Sequence, residues 1–400
     1  MAPRLRIVVT GFAATYPFGG VFWDYIQYLL GFHRLGHDVL YIEDTGKWCY
    51  SPRRQTFIED GADNAEHLAR QLHRLDPALT DRWFFRDAAD RCFGRSWPQV
   101  RDFCRGADLF LHISASCWLR DEYLAAGRLA FLDSDPMYTQ ASFPEVDAGT
   151  ADAGTQQRVA MLQNHDVFFT FGLNIGQPDC HVPTGPMVWH PTRQPVLLDH
   201  FSPAPHTSRR GVLTTVASWE PREDGPTVDG VRYAGKSIEF LRMIELARRS
   251  PMPLELALSG PAPLELLANH GWRTRPALEV SSDPWTYLDY LSDSFAEWSV
   301  AKNAYVAGRT GWFSTRTACY LALGVPAIVQ DTGFGHTIPT GEGVLTFSNV
   351  DEAVAAIETL RRNPQRHAQK AREIAEMYFD AAVVLEQMVE TATRAPVASR

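Results

Sequence analysis

The sequence predicts an α/β chain built as two doubly wound, Rossmann-like domains facing each other across a cleft, and two observations carry that prediction. The chain opens on strand, helix and strand signals in close succession between Arg6 and Ile42, the unit from which a parallel sheet grows. An aperiodic stretch rich in Pro, Ser and His at 196–210 then breaks the alternation, which starts afresh beyond it. Ligands of such folds sit at the carboxyl ends of the strands, so the cleft is the expected site.

Taken in order, Arg6–Thr10 (RIVVT) is a β-branched strand run, followed by the glycine-bearing loop 11–20. Phe22 to Leu35 has helical spacing, and Gly36 supplies a left-handed cap. Asp38 to Ile42 is the next strand, closed by Glu43-Asp44; Leu109–Ile113, Leu129–Leu132 and Val167–Thr170 follow as strands. Beyond the linker come a strand at Val212–Val216, a long loop to Gly235, a helix over Lys236–Arg249 and a strand at Leu254–Leu258. Tyr287–Asp293 and Ala318–Leu323 read as helices, with a strand entering at Tyr305 between them. Ala327–Gln330 is a strand and Asp351–Arg362 an amphipathic helix. One long helix is expected from Gln365 to about Thr393, on apolar steps of three and four. The expected division is a first domain at 1–195, a linker at 196–210, a second domain at 211–375 and a terminal helix at 376–400.

Composition narrows the function. Of 400 residues, 45% are apolar and 21% charged, which suits a globular chain and excludes a disordered or fibrous one. Acidic residues outnumber basic ones 47 to 38, and the net charge of −9 repels nucleic acid and anionic lipid where no basic run offsets it. Arg4, Arg6 and the uncharged segment after them resemble a secretory signal, but Gly11, Pro17, Gly19 and Gly20 interrupt it. No stretch approaches twenty uninterrupted apolar residues, so no spanning helix is expected. The six cysteines are widely spaced, without a CxxC pair; reduced thiols and a cytoplasmic location fit best. No signal for an oligomeric state stands out.

The most informative segment runs from Tyr305 to Gly343 (YVAGRTGWFSTRTACYLALGVPAIVQDTGFGHTIPTGEG). A Gly/Ser/Thr loop opens a helix that ends at Gly324-Val325-Pro326, and a strand then leads to Asp331-Thr332-Gly333. Unpaired N–H groups at a helix start, with the Ser314, Thr315 and Thr317 hydroxyls and the Arg316 fork, make an anion cradle. An ordinary capped helix has the same pattern.

Loop, helix, Gly-x-Pro, strand and Asp-x-Gly in this order resemble the donor-binding half of GT-B glycosyltransferases, particularly the mannosyl- and sucrose-synthase-like branch. The likeness extends from Gly211 to the end of the chain. It implies a nucleoside-diphosphate sugar as co-substrate with no further cofactor and no bound metal, a small-molecule acceptor in the first domain, and a terminal helix crossing back to that domain. Lys236, Ser314, Arg316 and Thr317 would hold the donor diphosphate, and the Gly19-Gly20 backbone would approach it. That branch carries two glutamates eight residues apart; here those positions are Gly311 and Cys319, which leaves Glu297 and Glu342 as candidates to stand in. Trp219 and Trp312 are candidates to line the cleft.

Asp133-Ser134-Asp135 matches the DxD pair that holds a metal in the GT-A architecture. Because the phosphate features lie in the second half, Asp133 or Asp135 is instead the candidate general base. His336, beside the Asp331-Thr332-Gly333 turn, is a third catalytic candidate. Tyr16, Phe18, Phe22 and Trp23 suggest a flat or hydrophobic acceptor, such as a secondary metabolite. A nucleotide-sugar epimerase of the same fold and a non-catalytic nucleotide-sugar or carbohydrate binder are the alternatives.

Overall fold

The computed structural model describes residues 4–219, 225–228 and 230–395. Two parallel sheets dominate it. The first has eight strands in the order Trp189–Pro191, Val167–Thr170, Leu129–Asp133, Leu109–Ile113, Arg6–Thr10, Asp38–Asp44, Trp83–Arg86 and Cys92–Gly94. Only the last pairing is antiparallel. The second has six, all parallel: Arg273–Pro276, Leu254–Ser259, Arg210–Ser218, Ser294–Ser299, Ala327–Gln330 and Val344–Phe347. In each sheet the first strand lies centrally and later strands add on either side, the doubly wound pattern. Strand residues such as Ile7, Val8, Val9, Leu256 and Ile328 are at most 1% exposed, as two-sided cover by helices requires.

The chain departs from the expected elements at four places. The first helix begins at Gly19, three residues early, directly after extended Phe18. The segment Lys236–Arg249 is two short helices, Lys236–Arg242 and Leu246–Arg249, and the Ile244 carbonyl between them accepts the Trp272 indole N–H (2.8 Å). Tyr305 lies in a helix, Asn303–Ala307, and the strand before it is Ser294–Ser299. The long terminal helix is two, Pro364–Tyr378 and Ala381–Arg394.

That last break has a cause. Val196 of the linker donates to the Phe379 carbonyl (2.6 Å) and accepts from the Ala381 N–H (3.0 Å), so the helix yields to a two-residue β-bridge. Asp380 then caps the new helix through Ala382. The final helix packs on Gly19–Arg34, where the bare Gly31 receives Leu385, and it thus crosses back to the first domain. Among the described residues no helix is long and apolar enough to cross a membrane.

Candidate active site

The carboxyl ends of both sheets open on one cavity of about 890 Å³. From the first domain it is lined by Ser114, Ser134, Asp135 and Phe171, which follow strands, and from the second by Ser218, Ser259, Gly260 and Ala277.

Two helices aim their N-termini at this space. Gly19–Arg34 begins after Phe18 with no side-chain cap, and Gly20 lines the cavity. Thr315–Ala322 begins after Ser314, also without a side-chain cap, and Ser314, Thr315 and Arg316 line the cavity. Exposed helix N–H groups favour an anion. Lys236 and Lys302 add positive charge to the same walls.

Glu43 fixes the loop in front of the first helix. Its buried carboxylate accepts from the Ala14 N–H (2.8 Å), the Thr15 N–H and the Tyr41 hydroxyl (2.8 Å). Burial pushes its pKa up, against the pull of those bonds. The loop so held carries Tyr16 and Phe18, which pack with Tyr50 and Phe57 of the hairpin Cys49–Ser51/Thr56–Ile58. These four rings form an aromatic wall of the cavity.

Asp133 and Asp135 have opposite surroundings. Asp133 is 1% exposed, and its oxygens accept from Thr139, Gln140 and Thr170 side chains (2.7, 2.7 and 2.9 Å) and from the Asp135 N–H. Burial raises its pKa to about 6. It organises the turn and does not line the cavity, which corrects its assignment as a base. Asp135 does line the cavity and bonds Lys302 Nζ (2.7 Å) and the Tyr305 hydroxyl. Burial opposes its ionisation, but the Lys302 charge and these bonds prevail and hold its carboxyl below the usual range.

Arg316 lines the cavity while its Nε donates to Glu297 (2.8 Å) and its Nη1 to the Val216 carbonyl (2.9 Å). Glu297 is fully buried, so it orients Arg316 and is not a cleft residue. Thr317 is buried beside Val329 and Gln330 and does not line the cavity. Gly19 packs against the second domain: a Cβ there would lie 2.4 Å from the Asp283 carbonyl oxygen. Trp219 is a core residue stacked on Phe240 (5.3 Å). Trp312 does line the cavity, stacked on Tyr305 (4.6 Å). Glu342 pairs with Arg366 on the surface, and His336 is exposed beside Asp179 (3.8 Å); neither reaches the cavity. Gly311, at φ +75°, would press a Cβ to 2.3 Å from the Asn174 nitrogen, so no carboxylate fits there, and Cys319 lines the cavity as a thiol.

Sequence reasoning missed Asp24, Tyr25, Lys302 and the hairpin aromatics. Asp24 and Tyr25 lie inside an ordinary helical pattern, and Lys302 has no motif around it. Among the described residues no cluster of three His, Cys, Asp or Glu side chains could hold a metal.

No family model and no curated protein matches the chain. Solved structures do. AviGT4, a glycosyltransferase involved in avilamycin A biosynthesis, superposes with a TM-score of 0.52 at 14% identity, over 98% of this chain and 97% of that one. An alpha-glucosyltransferase in complex with UDP and a 13-mer DNA does so with 0.58 at 9%, over 98% and 100%. Anabaena HepE in complex with UDP-glucose gives 0.55 at 11%, over 98% and 100%. At these identities the likeness establishes the fold, which is the GT-B arrangement of two Rossmann-like domains.

Proposed function

We propose that this chain is a glycosyltransferase that moves a sugar from a nucleoside diphosphate to a small-molecule acceptor. The observation that carries the proposal is the convergence of two uncapped helix N-termini with Lys236, Lys302 and Arg316 on one interdomain cavity. Such a cradle stabilises a diphosphate most when it leaves, as negative charge develops on it. The structural neighbours solved with UDP or UDP-glucose support a nucleotide-sugar donor.

The donor would lie with its base toward Ser259, Gly260 and Ala277 and its diphosphate over Gly20, Ser314 and Arg316. Asp135, kept ionised by Lys302 and Tyr305, would accept a hydrogen bond from a substrate hydroxyl and orient it; a carboxylate held this acidic retains a proton poorly. The aromatic wall supports a flat or apolar small molecule as acceptor, and the likeness to AviGT4 supports one from secondary metabolism. The net charge of −9 speaks against nucleic acid. Six unpaired cysteines fit a reducing, cytoplasmic setting. In this reading the cationic groups do the work of a divalent ion, and activity survives chelation.

A thermal-shift screen of nucleoside diphosphates tests the donor site, since a ligand at 100 times its Kd adds about 2.7 kcal/mol. Turnover of the matching sugar donor with a panel of acceptors then tests transfer. Binding of no nucleotide overturns the proposal. Interconversion of the donor sugar without acceptor would mean an epimerase.

A further inference from the structure

Glu239 is a buried carboxylate with no part in the donor reading. It stands in the Lys236–Arg242 helix, 1% exposed, and does not line the cavity. Its Oε1 accepts from Asn303 Nδ2 (2.7 Å) and Arg242 Nη1 (2.6 Å), and its Oε2 from Gln330 Nε2 (2.6 Å). Burying a carboxylate demands such donors. Two of them are side-chain amides that lie 64 and 91 residues away in the chain.

The backbone dictates which way both amides face. Asn303 Oδ1 accepts from the Ala234 N–H (3.1 Å), and Gln330 Oε1 accepts from the Ala301 N–H (3.2 Å). A backbone N–H only donates, so each amide must present its NH2 group to residue 239. A carboxylate, which accepts with both oxygens, satisfies the two at once. A glutamine there would set one NH2 group against another. One amide would then have to turn and give up its backbone partner.

These bonds hold the backbone on either side of Lys302. Ala301 is tied to Gln330, the last residue of the strand Ala327–Gln330. Asn303 is tied to Ala234, and its own N–H donates to the Gly235 carbonyl (3.4 Å). Lys302 stands between them, directly before the Asn303–Ala307 helix, and sends its ammonium across the cleft to Asp135. A lysine stem is flexible, so the charge is placed only as well as the backbone that carries it.

We propose that Glu239 is a positioning residue for the donor: through Asn303 and Gln330 it fixes the backbone around Lys302, and so sets where that ammonium meets the diphosphate. This inference rests on the donor reading above and deepens it. Glu239 itself touches no ligand, and its effect passes through Lys302.

The experiment is calorimetric titration with UDP, GDP and TDP, with the melting temperature of every variant recorded beside it. Glu239→Gln weakens the nucleotide that the wild type binds by about tenfold, the scale of one contact to a charged group. Adding Gln330→Glu brings affinity back close to wild type, because a carboxylate at 330 accepts from both the amide at 239 and the Ala301 N–H. In Lys302→Met protein, Glu239→Gln weakens binding by less than about twofold, as one residue acting through the other requires. Gln330→Met, which frees Ala301 but keeps Glu239 and Asn303, weakens binding several-fold and keeps the test readable should Glu239→Gln not fold. Folded Glu239→Gln or Gln330→Met protein with wild-type affinity overturns the inference, whatever its melting temperature. So does a loss that is undiminished in the Lys302→Met background, or a folded exchange variant that still binds weakly. Each of these leaves the donor reading standing. A wild type that binds none of the three nucleotides overturns both.

Discussion

The two walls of the cleft are built from different material. The second domain presents strand ends, small residues and a guanidinium locked by a buried carboxylate. The first presents a loop of aromatic side chains, held from behind by Glu43 and extended by a hairpin whose Phe57 is 48% exposed. A wall of fixed charges and backbone suits a ligand part that never varies, such as a diphosphate. A wall of rings on loops suits a part that differs from one enzyme to the next.

The sharpest way to break this contrast is at Arg316. Arg316→Ala leaves Glu297 buried and uncompensated, so it should destabilise the protein by about 3–5 kcal/mol. Denaturant titration reads the loss, and adding Glu297→Gln should recover much of it. If Arg316→Ala is instead as stable as wild type and only binds nucleotide weakly, the locked-wall description is wrong.

Next in size is the seam between the walls. Gly19→Ala drives a methyl into the Asp283 carbonyl and Tyr287, and should cost about 1–3 kcal/mol by overpacking. Gly20→Ala meets only ordinary contacts at 3.5 Å or more and should leave the melting temperature unchanged. Equal effects at the two positions would show that the glycines serve the backbone rather than the interface.

Glu43→Gln comes third. It keeps the shape but weakens the bonds to Ala14 and Thr15, with an expected loss of about 1–2 kcal/mol. Because burial raises the Glu43 pKa, its folded form binds a proton more readily than its unfolded form. The ionised Glu43 therefore lowers stability as pH rises through the folded pKa, and the Gln variant should lose this pH dependence.

The contrast also decides what was legible in the sequence. The second-domain wall announced itself, because a strand end, Ser314 before a helix and Gly324-Val325-Pro326 after it are local signals with local causes. Its details were not local: Glu297 is near Arg316 only through sheet packing, and Trp219 turns into the core. In the first domain the strands were readable, yet the cavity residues were not. Asp24 sits in a helix whose period reveals only its buried face, and Lys302 finds Asp135 across 167 residues of chain. Asp133 and Asp135 looked equivalent as a DxD triplet; the strand ends at Asp133, which is held in a cage of donors, while Asp135 lies beyond the strand in the turn that follows and lines the cavity.

The smallest effect on stability belongs to Phe57. Its side chain is half exposed, so Phe57→Ala should change unfolding free energy by no more than about 0.5 kcal/mol. Its contacts explain why the ring is there at all: Phe57 stands across the strand pair from Tyr50 and meets Tyr16 edge-on at 6.2 Å. Cys49 and Ser51 point inward and are buried, so the opposite face of this hairpin strand carries Tyr50 toward the cavity. If these rings hold the acceptor, Phe57→Ala should raise its KM several-fold while leaving nucleotide affinity as in wild type, since the Phe57 ring packs on Tyr16 and Tyr50. Leucine, which restores area but not the flat face, should recover only part of the loss. A Phe57→Ala enzyme with unchanged acceptor KM would remove the aromatic wall from the recognition surface. A fall in nucleotide affinity instead would mean that the two walls share the donor.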